Sequence, residues 1–407
     1  MSDQETAIAP APPHVDDLTV PWKATSPEAA SIDEVRKRHG DTFTADDGGD
    51  QYLFLLSPAG VRSVYGLAGH EATQDLADHG LLFRRLPDDV LSGRRTVVTD
   101  LLSTESVEAL LPALDQAVTA ELDDLSDIEI VDVFEMARRL GHRFAITCWC
   151  GIDAARGPAF EQMVDDLDML DGSDAFLPQE DRSERDDDLR VAAALDRIET
   201  MVAAALEGDE EPTDFLARVA ARWNDVEGAT RTREIAHDIV LLHITMTSNL
   251  ASAIGWTIAS ITLDPAATEA ARRGDPVAID ESIGGAVRLG QRSIMMRTAL
   301  RPVVVYDGVE TFEVKPGVVV ATMLPVAGSA SDADDLGADD RSDSALFGAQ
   351  SFPVRGHWTP AIALVVRRIF STFEVRSEHP SVPDAAPHHF GDIARPTTGW
   401  TAEFRLI

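Results

Sequence analysis

The segment REIAHDIVLLHITMTSNLASAIGWTIASITLDP, Arg233 to Pro265, constrains the fold more than any other part of the chain. It is the longest apolar segment of the chain, roughly thirty residues, and is stopped by Pro265. A helix that apolar over such a length must cross the middle of the protein. No run of about 18 uninterrupted apolar residues occurs anywhere, so no bilayer-spanning segment is expected.

Further helical periodicity recurs before this segment, at 101–125, 131–152, 157–170, 187–206 and 212–223, and after it at 279–289. The stretch TPAIALVVRRIFSTF reads as a last helix. Alternation in QYLFLLS, RTALRPVVVYDG and TFEVKPGVVVATMLP predicts strands. The expectation is a mainly α fold with a small β portion, in a single domain over 26–407. Residues 1–25, rich in Pro, Ala and Asp, are expected to be disordered or draped on the surface.

Of 407 residues, 44% are hydrophobic, enough for a large core, and 70 acids against 35 bases give a net charge of −35. Such an excess repels phosphate backbones and anionic lipid, which argues against nucleic-acid and membrane partners. The start, MSDQETAIAPAPPHVDD, lacks a basic region followed by an apolar one, so a secretory signal is not expected and a cytoplasmic location is. The two cysteines, Cys148 and Cys150 in ITCWCG, point to different faces of a helix and suit burial better than a metal or a disulfide. The acid-rich MVDDLDMLDGSD has imperfect spacing for a diphosphate–magnesium motif and reads as a solvated helix face.

The order of elements resembles the cytochrome P-450 family from about Ile32 to the end: RHGDTFT its early helix-to-sheet entry, the long apolar helix its central one, and FEVKPGVVV its late hairpin. FGAQSFPVRG, Phe347 to Gly356, resembles the family's haem loop. Phe347 and Gly356 hold their places, but Gln350 stands at the first glycine, Phe352 at the basic contact to a haem carboxylate, and Val354 at the cysteine. In that family the cysteine thiolate ligates iron and pushes electron density toward bound oxygen; valine has no lone pair to give. His357, three positions on, is the nearest replacement ligand.

The resemblance implies further departures. On the central helix the oxygen-handling positions fall on Thr245, Met246, Ser248 and Asn249, so Met246 fills the oxygen groove and Asn249 replaces the relaying threonine. Back-bonding to the preceding turn is the plainer role for such polar residues. The Glu-x-x-Arg of the next helix keeps Arg288, with Gly285 at the glutamate position. Glu135-Met-Ala-Arg138 has the same spacing but lies too early in the chain to count. A propionate clamp is halved, with Leu91 before Arg95. Arg297 matches a second propionate contact.

These losses together imply a haem-free cytochrome P-450 homologue, a pseudoenzyme with no metal and no cofactor. By analogy with haem-free members of the family, it is expected to act in natural-product or lipid tailoring as a non-catalytic activator or stabiliser of a partner such as a glycosyltransferase. The alternative is a haem-independent isomerase, cyclase or dehydratase using the vacated pocket for an apolar small molecule. Thr245, Met246, Asn249, Arg288 and Arg297 would line that pocket, with His243, Ser248 and Asn249 as catalytic candidates. A third reading is a haem monooxygenase with an unusual ligand.

Overall fold

The structure, a computed structural model, describes residues 10–16, 18, 32–47, 49–67, 70–73, 83, 85–95, 101, 104–125, 128–172, 184–208, 211–290, 294–323, 358–385 and 393–407. In chain order its elements are β1 (His14–Val15), α1 (Ile32–His39), β2 (Thr42–Asp47), β3 (Asp50–Leu55), α2 (Pro58–Tyr65) and β4 (Ala72–Thr73). There follow α3 (Asp88–Leu91), α4 (Thr104–Asp123), β5 (Ile128–Asp132), α5 (Val133–Cys150), α6 (Ile152–Arg156), α7 (Phe160–Leu170) and α8 (Glu184–Glu207). Then come α9 (Asp214–Ala221), α10 (Gly228–Leu263), α11 (Pro265–Arg272) and α12 (Pro276–Gly290). The chain closes with β6 (Ile294–Ala299), β7 (Val303–Tyr306), β8 (Thr311–Val314), β9 (Val319–Met323), α13 (Thr359–Thr372), β10 (Phe373–Arg376) and β11 (Thr401–Leu406). The expected mainly α fold with a small β portion is what the chain adopts.

The residues group into two compact units, one of 1–82, 291–353 and 387–394, the other of 83–290, 354–386 and 395–407. The first is built on a six-stranded sheet in the order β1-β2-β3-β9-β6-β4, with a separate hairpin β7–β8. Phe43 faces Phe54 across β2 and β3, their rings stacked 4.9 Å apart. Gly49, at φ +94°, supplies the left-handed backbone of the tight turn between those strands. Ser57 caps α2 by accepting from the Gly60 amide, and Val61 and Val64 pack into a core with Leu53, Leu55, Val303 and Phe312. Within the N-terminal stretch expected to be disordered, His14–Val15 instead pairs in parallel with β2, and Val15 is buried.

The second unit is organised by α10, 36 residues long. This helix alone among the described residues is long and apolar enough to cross a membrane, but 89% of its most apolar window is buried inside the protein. Beside it lies α5, and two glycines set how near the helices come. A Cβ on Gly255 would sit 2.5 Å from the Phe134 ring, and one on Gly141 would sit 3.3 Å from Ala251. Asp132, which ends β5, caps α5 by accepting from the amides of Phe134 and Glu135. Further along α5, buried Arg143 bonds Glu121 and Asp124 at 2.9 and 2.6 Å and the Ala155 carbonyl at 2.7 Å, tying it to α4 and α6. A three-stranded sheet in the order β10-β11-β5 completes the unit.

Candidate functional site

Close packing of α5 on α10 brings together polar side chains about a hundred residues apart. Trp149 Nε1–H donates to His243 Nδ1 at 3.2 Å. An indole nitrogen can only donate, so His243 Nδ1 must accept and its proton sits on Nε2. That proton points to His142 Nδ1, 2.9 Å away, which leaves His142 Nε2–H to donate to Asp168 Oδ1, also at 2.9 Å. One donor at the tryptophan thus sets the tautomer of both histidines. Burial favours the neutral forms: it lowers His243 to about 3 and holds His142 well below the usual imidazole range, helped by His243, Arg138 and Arg395. Asp168 is held in turn by Arg138, which also binds Glu135.

Next to this chain lies a cleft of about 260 Å³, between the start of α5, the middle of α10 and residues 395–399. Asp132, Glu135, Arg138, His142, Asp171, Ser248 and Arg395 contribute polar groups to its wall. Arg395 is committed to Asp171 at 2.9 Å, and Arg85 bonds the Asp171 carbonyl at the same distance. Arg138 holds the Glu135 carboxyl below its ordinary value. Every cation on the wall is therefore engaged by an acid of the protein itself.

Of the residues singled out from the sequence, His243 and Ser248 come to this side of α10, His243 in the buried chain and Ser248 on the wall of the cleft. Thr245 spends its hydroxyl on the Leu241 carbonyl at 2.6 Å, the back-bonding anticipated for it. Met246 and Asn249 are buried but do not line the cleft. At about 100° per residue, Met246 is turned nearly half-way around the helix from Ser248. Arg297 belongs to the sheet-based unit, where its guanidinium donates to the carbonyls of Val64 (3.2 Å), Ala72 (2.9 Å) and Leu67. Arg288 lies on α12, but its side chain is outside the described residues, as are Phe347, Gln350, Phe352, Val354, Gly356 and His357.

One sequence expectation changes. The acid-rich MVDDLDMLDGSD is not a solvated face: Asp166 and Asp171 are 2% and 4% exposed, and each is paired with an arginine, Arg197 and Arg395. Arg95, matched to the halved clamp, lies 4.3 Å over the Trp223 ring and binds Asp225. Glu135 and Arg138, too early in the chain to be the family's Glu-x-x-Arg, pair with each other on the cleft wall. His142, Asp168, Asp132 and Arg395 carried no local signal, because each gains its meaning from a partner elsewhere in the chain.

No family model matches the chain, and no curated protein matches it. Among solved structures it is similar to cyanobacterial CYP120A1 with retinoic acid bound, at 14% identity over 98% of this chain and 100% of that one, with a TM-score of 0.68. It is also similar to CYP175A1 from Thermus thermophilus, at 15% identity over 91% of this chain and 93% of that one, with a TM-score of 0.62. The chain has the cytochrome P-450 fold. Cytochrome P-450 enzymes hold haem iron through a cysteine thiolate, so the fold raises the question of what would ligate iron here. Both cysteines of this chain lie on α5, not in the loop before α13. Burial raises Cys148 and pushes Cys150 up to about 11, so both are thiols. No group of three His, Cys, Asp or Glu able to hold a metal occurs among the described residues. Neither cysteine therefore stands in the loop before α13, where the family resemblance places the haem ligand.

Proposed function

We propose that this protein is a haem-free cytochrome P-450 homologue that serves as a non-catalytic partner, activating or stabilising a tailoring enzyme of natural-product or lipid metabolism such as a glycosyltransferase. One observation carries the reading: the fold is that of a haem-thiolate enzyme, while the chain's two cysteines, buried Cys148 and half-buried Cys150, are both thiols on α5. Val354 at the ligand position of the loop supports it. So does the engagement of Arg297, the residue matched to a propionate contact, with three main-chain carbonyls.

A partner surface has to combine exposed apolar groups with complementary charge. Ile128 and Ile130 on edge strand β5 are 57% and 66% exposed, and the net charge of −35 suits a partner face rich in Lys and Arg. The test is co-expression with a candidate glycosyltransferase. The expected result is co-purification and transferase activity that is lost when this chain is left out. Turnover of a polyketide or terpenoid by this chain alone would replace the partner reading with that of a haem-independent isomerase, cyclase or dehydratase.

A further inference from the structure

The cleft beside α5 is selective in which polar atoms it leaves unused. Ser248 is 5% exposed and lines the cleft, and its Oγ has no hydrogen-bond partner among the described residues. Asp132 uses Oδ1 to cap α5, while its Oδ2 carries no hydrogen bond among the described residues. The hydroxyl protons of Thr247 and Ser252 are spent on the carbonyls of His243 (3.0 Å) and Ser248 (3.2 Å), so these groups have only lone pairs left to offer. The polar atoms left unengaged are thus Asp132 Oδ2, which can only accept, and the Ser248 hydroxyl, which can accept or donate.

Its charge points the same way. Three carboxylates, Asp132, Glu135 and Asp171, face two guanidiniums, Arg138 and Arg395. Arg138 is paired with Glu135 and Asp168, and Arg395 with Asp171, so an incoming carboxylate or phosphate would compete with an acid already in place. His142 is neutral with both ring nitrogens engaged. At about 260 Å³ the space falls below the roughly 300–1,000 Å³ of sites for drug-sized molecules.

We propose that this cleft binds a compact polyhydroxylated ammonium compound, whose cationic nitrogen is received by Asp132 Oδ2 and whose hydroxyl groups donate to Ser248 and its neighbours. The site lies wholly in the α10-based unit and is independent of whether haem or a protein partner binds. Gly399 is part of its construction: a Cβ there would collide with Asp132 Oδ2 and displace the carboxylate.

Titration calorimetry of the full chain with three compounds of one carbon skeleton tests this: glucamine (cationic), sorbitol (neutral) and gluconate (anionic). Glucamine is expected to bind one to one with a dissociation constant in the millimolar range, sorbitol at least about tenfold more weakly, and gluconate not at all. Asp132→Asn keeps a good helix cap and should bring glucamine down to the level of sorbitol with the thermal midpoint unchanged. Ser248→Ala should weaken both compounds several-fold, and Gly399→Ala should weaken glucamine selectively. Absence of glucamine binding, or gluconate binding as well as glucamine, overturns the proposal. So does a glucamine preference that survives Asp132→Asn, which is general attraction of a cation to an acidic surface.

Discussion

The two polar regions of the α10-based unit meet at His142 and differ in one respect. In the buried chain from Trp149 to Asp168 every ring nitrogen has a partner, and the tautomers follow from one indole donor. In the cleft alongside, Ser248 Oγ and Asp132 Oδ2 have none among the described residues. A closed chain of hydrogen bonds rigidifies the fold and is costly to interrupt; unengaged polar groups at a cavity wall contribute little to folding and are free to meet a ligand. Chemistry of similar polarity thus serves structure on one side of His142 and recognition on the other.

The strongest way to break this contrast is to open the closed chain. His243→Leu removes the acceptor of Trp149 and the donor to His142, leaving both unsatisfied in the interior. A loss of about 3 kcal/mol is expected in urea denaturation. Next comes the close approach that creates both regions: Gly255→Ala drives a methyl into the Phe134 ring and should cost about 1–3 kcal/mol. Ser248→Ala, on the open side, should change stability by no more than about 0.5 kcal/mol while weakening glucamine binding.

Acid sharpens the same comparison. His243 is lowered to about 3 in the folded protein, against an ordinary 6.5. The unfolded chain therefore binds the proton first. Stability from this residue is complete above about pH 6.5 and is lost as pH falls from there toward 3, at up to about 1.4 kcal/mol per pH unit. His142, lowered for the same reason, adds to the slope. Denaturation midpoints measured across this range should fall steadily in the wild type and less steeply in His243→Leu.

Much of the fold was legible because periodicity is local. The apolar run to Pro265 is the 36-residue α10, and the helices expected over 157–170 and 187–206 appear as Phe160–Leu170 and Glu184–Glu207. The helix expected over 131–152 starts slightly later, because Ile128–Asp132 pairs with β11, a contact that no local pattern encodes. Site residues were legible only in part for the same reason. His243 stood out on an apolar helix, whereas His142, in RLGHRF, looked like any polar interruption until α5 packed against α10. Asp166 and Asp171 read as solvated because the arginines that neutralise them, Arg197 and Arg395, lie 31 and 224 positions away.

The central claim is that a cytochrome P-450 fold here has given up its iron. Expression with the haem precursor supplied, followed by purification and a pyridine haemochromogen assay, measures haem per chain directly. The account predicts a colourless protein without a Soret band and with only trace haem. One haem per chain, with a Soret band that persists through gel filtration, would contradict it.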